Sequence, residues 1–369
     1  MPQPLFGCGS HQSGSDIRLQ ALACFLFIEP FISKSPPFAY NNKAGAPLCI
    51  KNPKLIGDRH KMKTTPPSPK GSVCVIGGDA RQYYLALALA AEGFSVSAYG
   101  IPQNGSPESN PSTERYTELS ESGVTVHSQL NTALTAQNTV ILPFPLSPDG
   151  ITLNCTAEEK PSLRDIFAAI SQVCPPSVTV LAGAVKERSR EIAASFSLAI
   201  TDYGAMEEIA SENAVPTAEG AIEVAMKHLN VTVRGSRFAV VGYGRCGSEL
   251  ARLLKAMGAE VYGVARSGKD RAKMRNDAVI PHDFDRLIEV TNSSVITFNT
   301  VPFNVFDCHT LSQLSPNTVM IELASAPGGV NRECAARYGI KVIHAPSLPG
   351  KYAPKTAAEI IARAIIPLL

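Results

Sequence analysis

Three glycines, Gly242, Gly244 and Gly247, stand in the run FAVVGYGRCGSELARLLKAMGAEVYGVARS at residues 238–267. Their G-x-G-x-x-G spacing follows an apolar run and precedes a stretch in which Leu250, Leu253, Leu254 and Met257 recur at helical spacing. A second apolar run comes next, so the glycines read as the strand–turn–helix junction that binds a dinucleotide. Gly242 permits the tight turn, Gly244 lets the backbone approach a pyrophosphate, and Gly247 lets helix and strand pack closely. The pyrophosphate then rests on the free N–H groups and positive dipole end of the helix. Tyr243, Arg245 and Cys246 belong to the same turn and are read with it as contacts of the cofactor. The alternative is that the glycines serve the turn alone.

An NAD-binding unit usually places an acid about 20 residues further on, where it accepts from the ribose hydroxyls. Arg266 occupies that position here, followed by Ser267, with Lys269 nearby. A guanidinium forms a bidentate pair with a 2′-phosphate that an aspartate would repel, so NADP is expected and NAD is less favoured. Arg266 could instead be a solvated residue past a strand end. Asn299, Thr300, Val301 and Pro302 end a later strand and face the same crevice, as do Ser325 to Gly329. Asn299 and Thr300 suit hydrogen bonds to nicotinamide or its ribose, and suit strand-end turn chemistry equally well. Cys246 is read as packing within the turn, since hydride chemistry needs no thiolate. His344 ends the last strand, but no carboxylate partner for it is identifiable from sequence, and it is not chosen as a base.

The elements that must carry these residues follow from the spacing of apolar runs. Strands are expected at 72–78, 95–100, 124–127, 139–145 and 178–184, with a helix at 82–93. A second set is expected at 237–242, 260–265, 278–281, 294–299, 318–323 and 341–344. Strands alternating with helices imply parallel sheets covered on both faces, and six strands make a complete Rossmann sheet. The fold class is therefore α/β, with two Rossmann-like doubly wound parallel-sheet domains. A helix at 212–230 is expected to join them, with Pro216 in its first turn. Thr217 and Glu219 lie in that opening turn, where they could orient a substrate or take a proton, and where capping is equally consistent. Asp79 and Arg81 stand on the turn after the first strand, a position where an acid often caps the following helix.

Bulk properties narrow the class further. Residues 1–70 hold nine Lys/Arg against three Asp/Glu and ten of the 28 prolines, with no periodicity, and are read as a disordered tail. A translation start at Met62 would explain that tail as an artefact. Residues 71–369 hold 25 Lys/Arg against 29 Asp/Glu, a slightly acidic balance that argues against nucleic acid as a partner. Nine cysteines without a C-x-x-C pair, and seven histidines without ligand spacing, predict free thiols and no metal site. The apolar run at 19–32 is broken by Glu29 and Pro30 and is too short for a membrane span, and with only Arg18 before it the basic start that a secretory signal needs is missing. A cytoplasmic oligomer is the resulting expectation.

Six separate stretches, in this order and spacing, carry a resemblance. They are VIGGDARQ at 75–82, NAVPTAEGAIEVA at 213–225, VVGYGRCGSELA at 240–251, FNTVP at 298–302, ELASAPGG at 322–329 and LPGKYAPKTAAEII at 348–361. From about residue 71 onward the chain resembles the A subunits of bacterial dipicolinate synthase, and more widely the formate/glycerate dehydrogenases, alanine dehydrogenase and adenosylhomocysteinase. The resemblance implies an N-terminal substrate domain at 71–211 plus 350–369, a connecting helix at 212–234 and an NADP-binding Rossmann domain at 235–349. It implies oxidation of dihydrodipicolinate to dipicolinate with NADP as hydride acceptor. The partner it implies is a flavoprotein-like B subunit, and the location is the mother cell of a sporulating bacterium. A dicarboxylate substrate needs cations, which points to Arg81 as a substrate ligand, with Asp79 and Lys355 beside it and Lys351 as a weaker candidate. Two other readings remain open: an NAD(P)-dependent 2-hydroxyacid or amino-acid dehydrogenase, and a dinucleotide-binding scaffold whose chemistry lies in its partner.

Overall fold

Short runs such as VCVI and FAVV are buried along their whole length, as strands covered on both faces must be. In a computed structural model, which describes residues 69–102, 117–156 and 160–369, these runs build two six-stranded sheets in which every pairing is parallel. The first sheet contains β1 (Ser72–Ile76), β2 (Ser95–Tyr99), β3 (Val124–His127), β4 (Thr139–Ile141), β5 (Thr179–Ala182) and β6 (Ile200–Asp202). The second contains β7 (Arg237–Val241), β8 (Glu260–Val264), β9 (Ile280–His282), β10 (Ile296–Asn299), β11 (Val319–Glu322) and β12 (Lys341–His344). The spatial orders are β3-β2-β1-β4-β5-β6 and β9-β8-β7-β10-β11-β12, the doubly wound arrangement in both cases.

Each sheet reverses direction of winding at its first strand, which places a crevice at the carboxyl end of that strand. Three helices set what surrounds the two crevices. The Ala80–Ala91 helix follows β1 and packs on the Pro354–Ile365 helix, and its Leu85, Ala86 and Leu89 share one apolar cluster with Ala358, Ile361 and Ile365 of that helix. Burying each of the larger side chains contributes about 1.5–3 kcal/mol relative to exposure. The connecting helix, Ala214–Met226, lays Ala218, Ala221, Ile222 and Ala225 against Leu250 and Leu254 of the Arg245–Ala256 helix, which follows β7. A side chain at Gly220 would run into Leu348 and Tyr352, so the connecting helix also touches the Leu348–Tyr352 turn of helix.

Several elements differ from the sequence expectation. β6 was not expected: its three residues alternate between half-buried and exposed and carry no continuous apolar run. The connecting helix ends at Met226, and the residues after it, Lys227 and His228, are exposed. β9 starts at Ile280 because Ala278, with φ +54°, forms a turn before it. The expectation of free thiols is corrected by a disulfide between Cys308 and Cys334. Cys308 opens the short helix after β10 and Cys334 lies in the first turn of the short helix after β11, and the parallel crossovers bring their Cα atoms to 5.2 Å across 26 positions of sequence. The other described cysteines, Cys74, Cys155, Cys174 and Cys246, are free. The tail and the Met62 start lie outside the described residues. Among the described residues no helix is long and apolar enough to cross a membrane, and no group of His, Cys, Asp and Glu could hold a metal ion.

Candidate functional site

At the carboxyl end of β7, Gly242 adopts φ +93°, and a Cβ there would collide with the Thr300 hydroxyl. A Cβ on Gly247 would collide with the Gly242 carbonyl, so both positions require glycine for close packing. Gly244 differs: a Cβ there would meet nothing within 4 Å, because the residue faces open space. Gly244 is also the N-cap of the Arg245–Ala256 helix, and no side chain caps the helix at that point. Orphan N–H groups and the positive dipole end therefore open directly onto the crevice, the arrangement that suits a phosphate.

A cleft of about 890 Å³ lies over this turn. It gathers Gly242, Tyr243, Gly244, Arg245, Cys246 and Gly247 from the turn, Arg266 and Ser267 from beyond β8, and Thr300, Val301 and Pro302 from beyond β10. Ser325 joins them with its neighbours Leu323 and Ala324. Asn299 is left out of the lining, as are Asp79, Arg81, Thr217, Glu219 and Lys355.

The side chains in the lining do different things. Tyr243 contributes backbone only: its ring is buried and its hydroxyl donates to Asp277 Oδ2 at 2.7 Å, with burial first and Asp277 second raising the phenol's pKa. The Cys246 thiol is also raised, mainly by burial, against the opposing influence of Arg245 and a hydrogen bond with Thr217. A reactive thiolate has no support there. Thr300 donates its hydroxyl to the Val241 carbonyl at 2.9 Å, which supports the glycine turn from beneath. Arg266 is exposed at the end of β8, and Ser267 caps the Gly268–Asn276 helix by accepting from the Asp270 N–H. A cation and a helix N-terminus thus meet at the far side of the cleft, with Asp270 as the acid beside them in the lining.

Asn299 serves the turn. It is fully buried, donates to Val301 O at 3.0 Å and to Glu322 Oε1 at 2.9 Å, and accepts from the Val301 N–H at 3.2 Å. Glu322, at the end of β11, was missed by sequence reasoning. Its buried carboxylate also accepts from the Ala324 N–H at 3.1 Å and the Gly329 N–H at 3.2 Å, so it ties together the loops after β10 and β11 that wall the cleft. An acid closing the apolar run TVMIE was the available signal. Phe303, a large apolar side chain 68% exposed at the cleft, was also missed; its only signal is a place one residue past Pro302. His344 lies opposite Glu322 in the β11–β12 register, a carboxylate neighbour that sequence could not identify. Burial and then Arg332 lower its pKa, and Glu322 opposes them.

The first sheet holds the remaining candidates. Asp79 caps the Ala80–Ala91 helix by accepting from the Arg81 N–H at 3.0 Å. The Arg81 guanidinium, almost wholly buried, donates from Nε to Asp79 Oδ1 at 2.9 Å and from Nη2 to Asp79 Oδ2 at 2.7 Å. It also donates to the Phe144 carbonyl and lies over the Phe144 ring, 5.3 Å from its centroid. A substrate carboxylate would have to compete with Asp79 for this cation. Gly350 packs so closely on the pair that a Cβ would strike Arg81 Nε at 2.7 Å and Asp79 Oδ2 at 2.8 Å. Lys351 and Lys355 are exposed, shortly after Gly350 in sequence. Thr217 donates its hydroxyl to Asn213 O at 2.6 Å within its own helix, and Glu219 is exposed.

Comparison with known proteins gives two family matches. Residues 72–204 match the N-terminal domain of the dipicolinate synthase A subunit, and residues 209–332 match the NAD binding domain of D-isomer specific 2-hydroxyacid dehydrogenases. The dipicolinate synthase A subunit of Bacillus subtilis (strain 168) is 29% identical over 303 residues, covering 80% of this chain and 95% of that protein. The crystal structure of its counterpart from Bacillus halodurans superposes with a TM-score of 0.70 at 27% identity, covering 82% of this chain and 98% of that one. A transhydrogenase from Sinorhizobium meliloti shares the fold, with a TM-score of 0.60 at 12% identity over 80% of this chain and 92% of its own.

Proposed function

Since the chain belongs to the family of dipicolinate synthase A subunits, we propose that it oxidises dihydrodipicolinate to dipicolinate with NADP, together with a flavoprotein-like B subunit. The observation that carries the reading is the uncapped, open Gly244 turn with Arg266 at the far side of its cleft. These residues fit a dinucleotide: Gly242 and Gly247 hold the turn tight, and Gly244 leaves room for a phosphate. NADP, when bound, supplies the hydride acceptor. The first N–H groups of the Arg245–Ala256 helix and the Arg245 guanidinium hold the pyrophosphate, and Arg266 holds the 2′-phosphate. Val301, Phe303 and Leu323 contribute apolar wall and exclude water.

The reaction takes one hydride and one proton from the substrate ring, so the chain's task is to orient that ring against nicotinamide and keep water out. The exposed Lys355 supplies a cation toward a carboxylate of such a substrate, while Arg81 and Asp79 hold each other at the turn of the first sheet. The test is to mix the purified protein, with and without the B subunit, with NADP and enzymatically generated dihydrodipicolinate. Dipicolinate formation coupled to absorbance of reduced cofactor is expected in one or both mixtures. Turnover of 2-hydroxyacids or amino acids in its place would replace the reading with that of a dehydrogenase of the same architecture. Cofactor binding with no turnover of either class would leave a dinucleotide-binding scaffold.

A further inference from the structure

Arg245 holds the first position of its helix, where the dipole's positive end opposes a cation. The guanidinium at that point calls for an anion, and one is present. Arg245 Nη1 donates to Glu207 Oε2 at 2.6 Å, with both side chains at least half exposed. Glu207 opens the short Glu207–Glu212 helix, whose last residue, Glu212, pairs with Arg363 on the Pro354–Ile365 helix. Through Asn213 the same short helix runs on into the connecting helix. It is therefore pinned at one end to the wall of the cleft and at the other to the helix that covers Ala80–Ala91.

A dinucleotide on the glycine turn brings two phosphate charges to the guanidinium that Glu207 already holds. Resting on the dinucleotide reading above, we infer that Arg245 exchanges Glu207 for the pyrophosphate, so that the ion pair is a latch opened by the cofactor. Glu207 then competes with the cofactor, and cofactor binding releases the Glu207–Glu212 helix from the cleft wall. The latch links occupancy of the second sheet's cleft to the element that leads toward the first sheet.

The sign of one measurement decides this. NADPH fluorescence titrations would compare the wild type with E207Q, R245Q and the double variant. An exposed ion pair contributes little, so E207Q is expected to bind about two- to fivefold more tightly. R245Q is expected to bind more weakly, and adding E207Q to it should change nothing further, because the competitor then has no guanidinium to compete for. Amide exchange across Glu207–Glu212 should quicken on NADPH addition in the wild type and not in R245Q. Unchanged or weaker binding by E207Q overturns the latch, even if every variant binds dinucleotide. Failure of the wild type to bind either NADPH or NADH overturns the dinucleotide reading itself, and the latch with it.

Discussion

The two sheets have the same strand order, and each sends its first strand through a turn with at least one positive-φ glycine into a helix, yet only one of the two turns is open. After β7 the N-cap is Gly244, nothing caps the helix, and the cleft begins there. After β1, Gly77 and Gly78 take φ +64° and +85°, but the N-cap is Asp79, whose carboxylate occupies the helix N-terminus and clamps Arg81. The Gln82 side chain folds over Gly78, and Gly350 seals the pair from the other side. An acid at the dipole's positive end repels a phosphate as surely as bare N–H groups attract one. Topology provides the crevice in both halves. The residue at the N-cap decides whether a phosphate can use it.

Breaking the closed turn should have the larger effect. Asp79→Ala leaves a buried guanidinium without its counter-ion, and unfolding in urea should show a loss of about 3 kcal/mol; retention of full stability would mean that the pair does not organise the first half. Moving the closed turn's cap into the open one is the sharper test. Gly244→Asp should weaken NADPH binding about a hundredfold, about 2.7 kcal/mol, while capping raises thermal stability slightly. Unaltered affinity would show that the pyrophosphate does not lie on this turn. The smallest effect concerns the far side of the cleft. Arg266→Asp should weaken NADP binding about tenfold, about 1.4 kcal/mol, and leave NAD within about twofold. Equal losses for the two cofactors would remove the 2′-phosphate from Arg266.

Reading the sequence found the open turn far more fully than the closed one, for a physical reason. Gly242 and Gly247 are dictated by contacts that no other residue satisfies, so their spacing carries the turn by itself. Asp79 and Arg81 are legible as a cap and a cation, but nothing in their types says that the two are spent on each other. The same holds for Asn299, whose amide is taken by Val301 and Glu322, and for Glu322, whose three partners come from the end of β10 and the loop after β11. The Cys308–Cys334 bridge and the three-residue strand β6 likewise depend on which crossovers lie side by side, and local spacing does not record that.

The packing of the Ala80–Ala91 helix against Pro354–Ile365 has a consequence for the order in which the molecule can be made. The apolar cluster that Leu85 and Leu89 share with Ala358, Ile361 and Ile365 stays incomplete until the whole of the second sheet has been synthesised and the later helix has returned. The nucleotide-binding half is built from one continuous stretch and needs no such return. On a ribosome, the half that begins first is thus the half that is finished last.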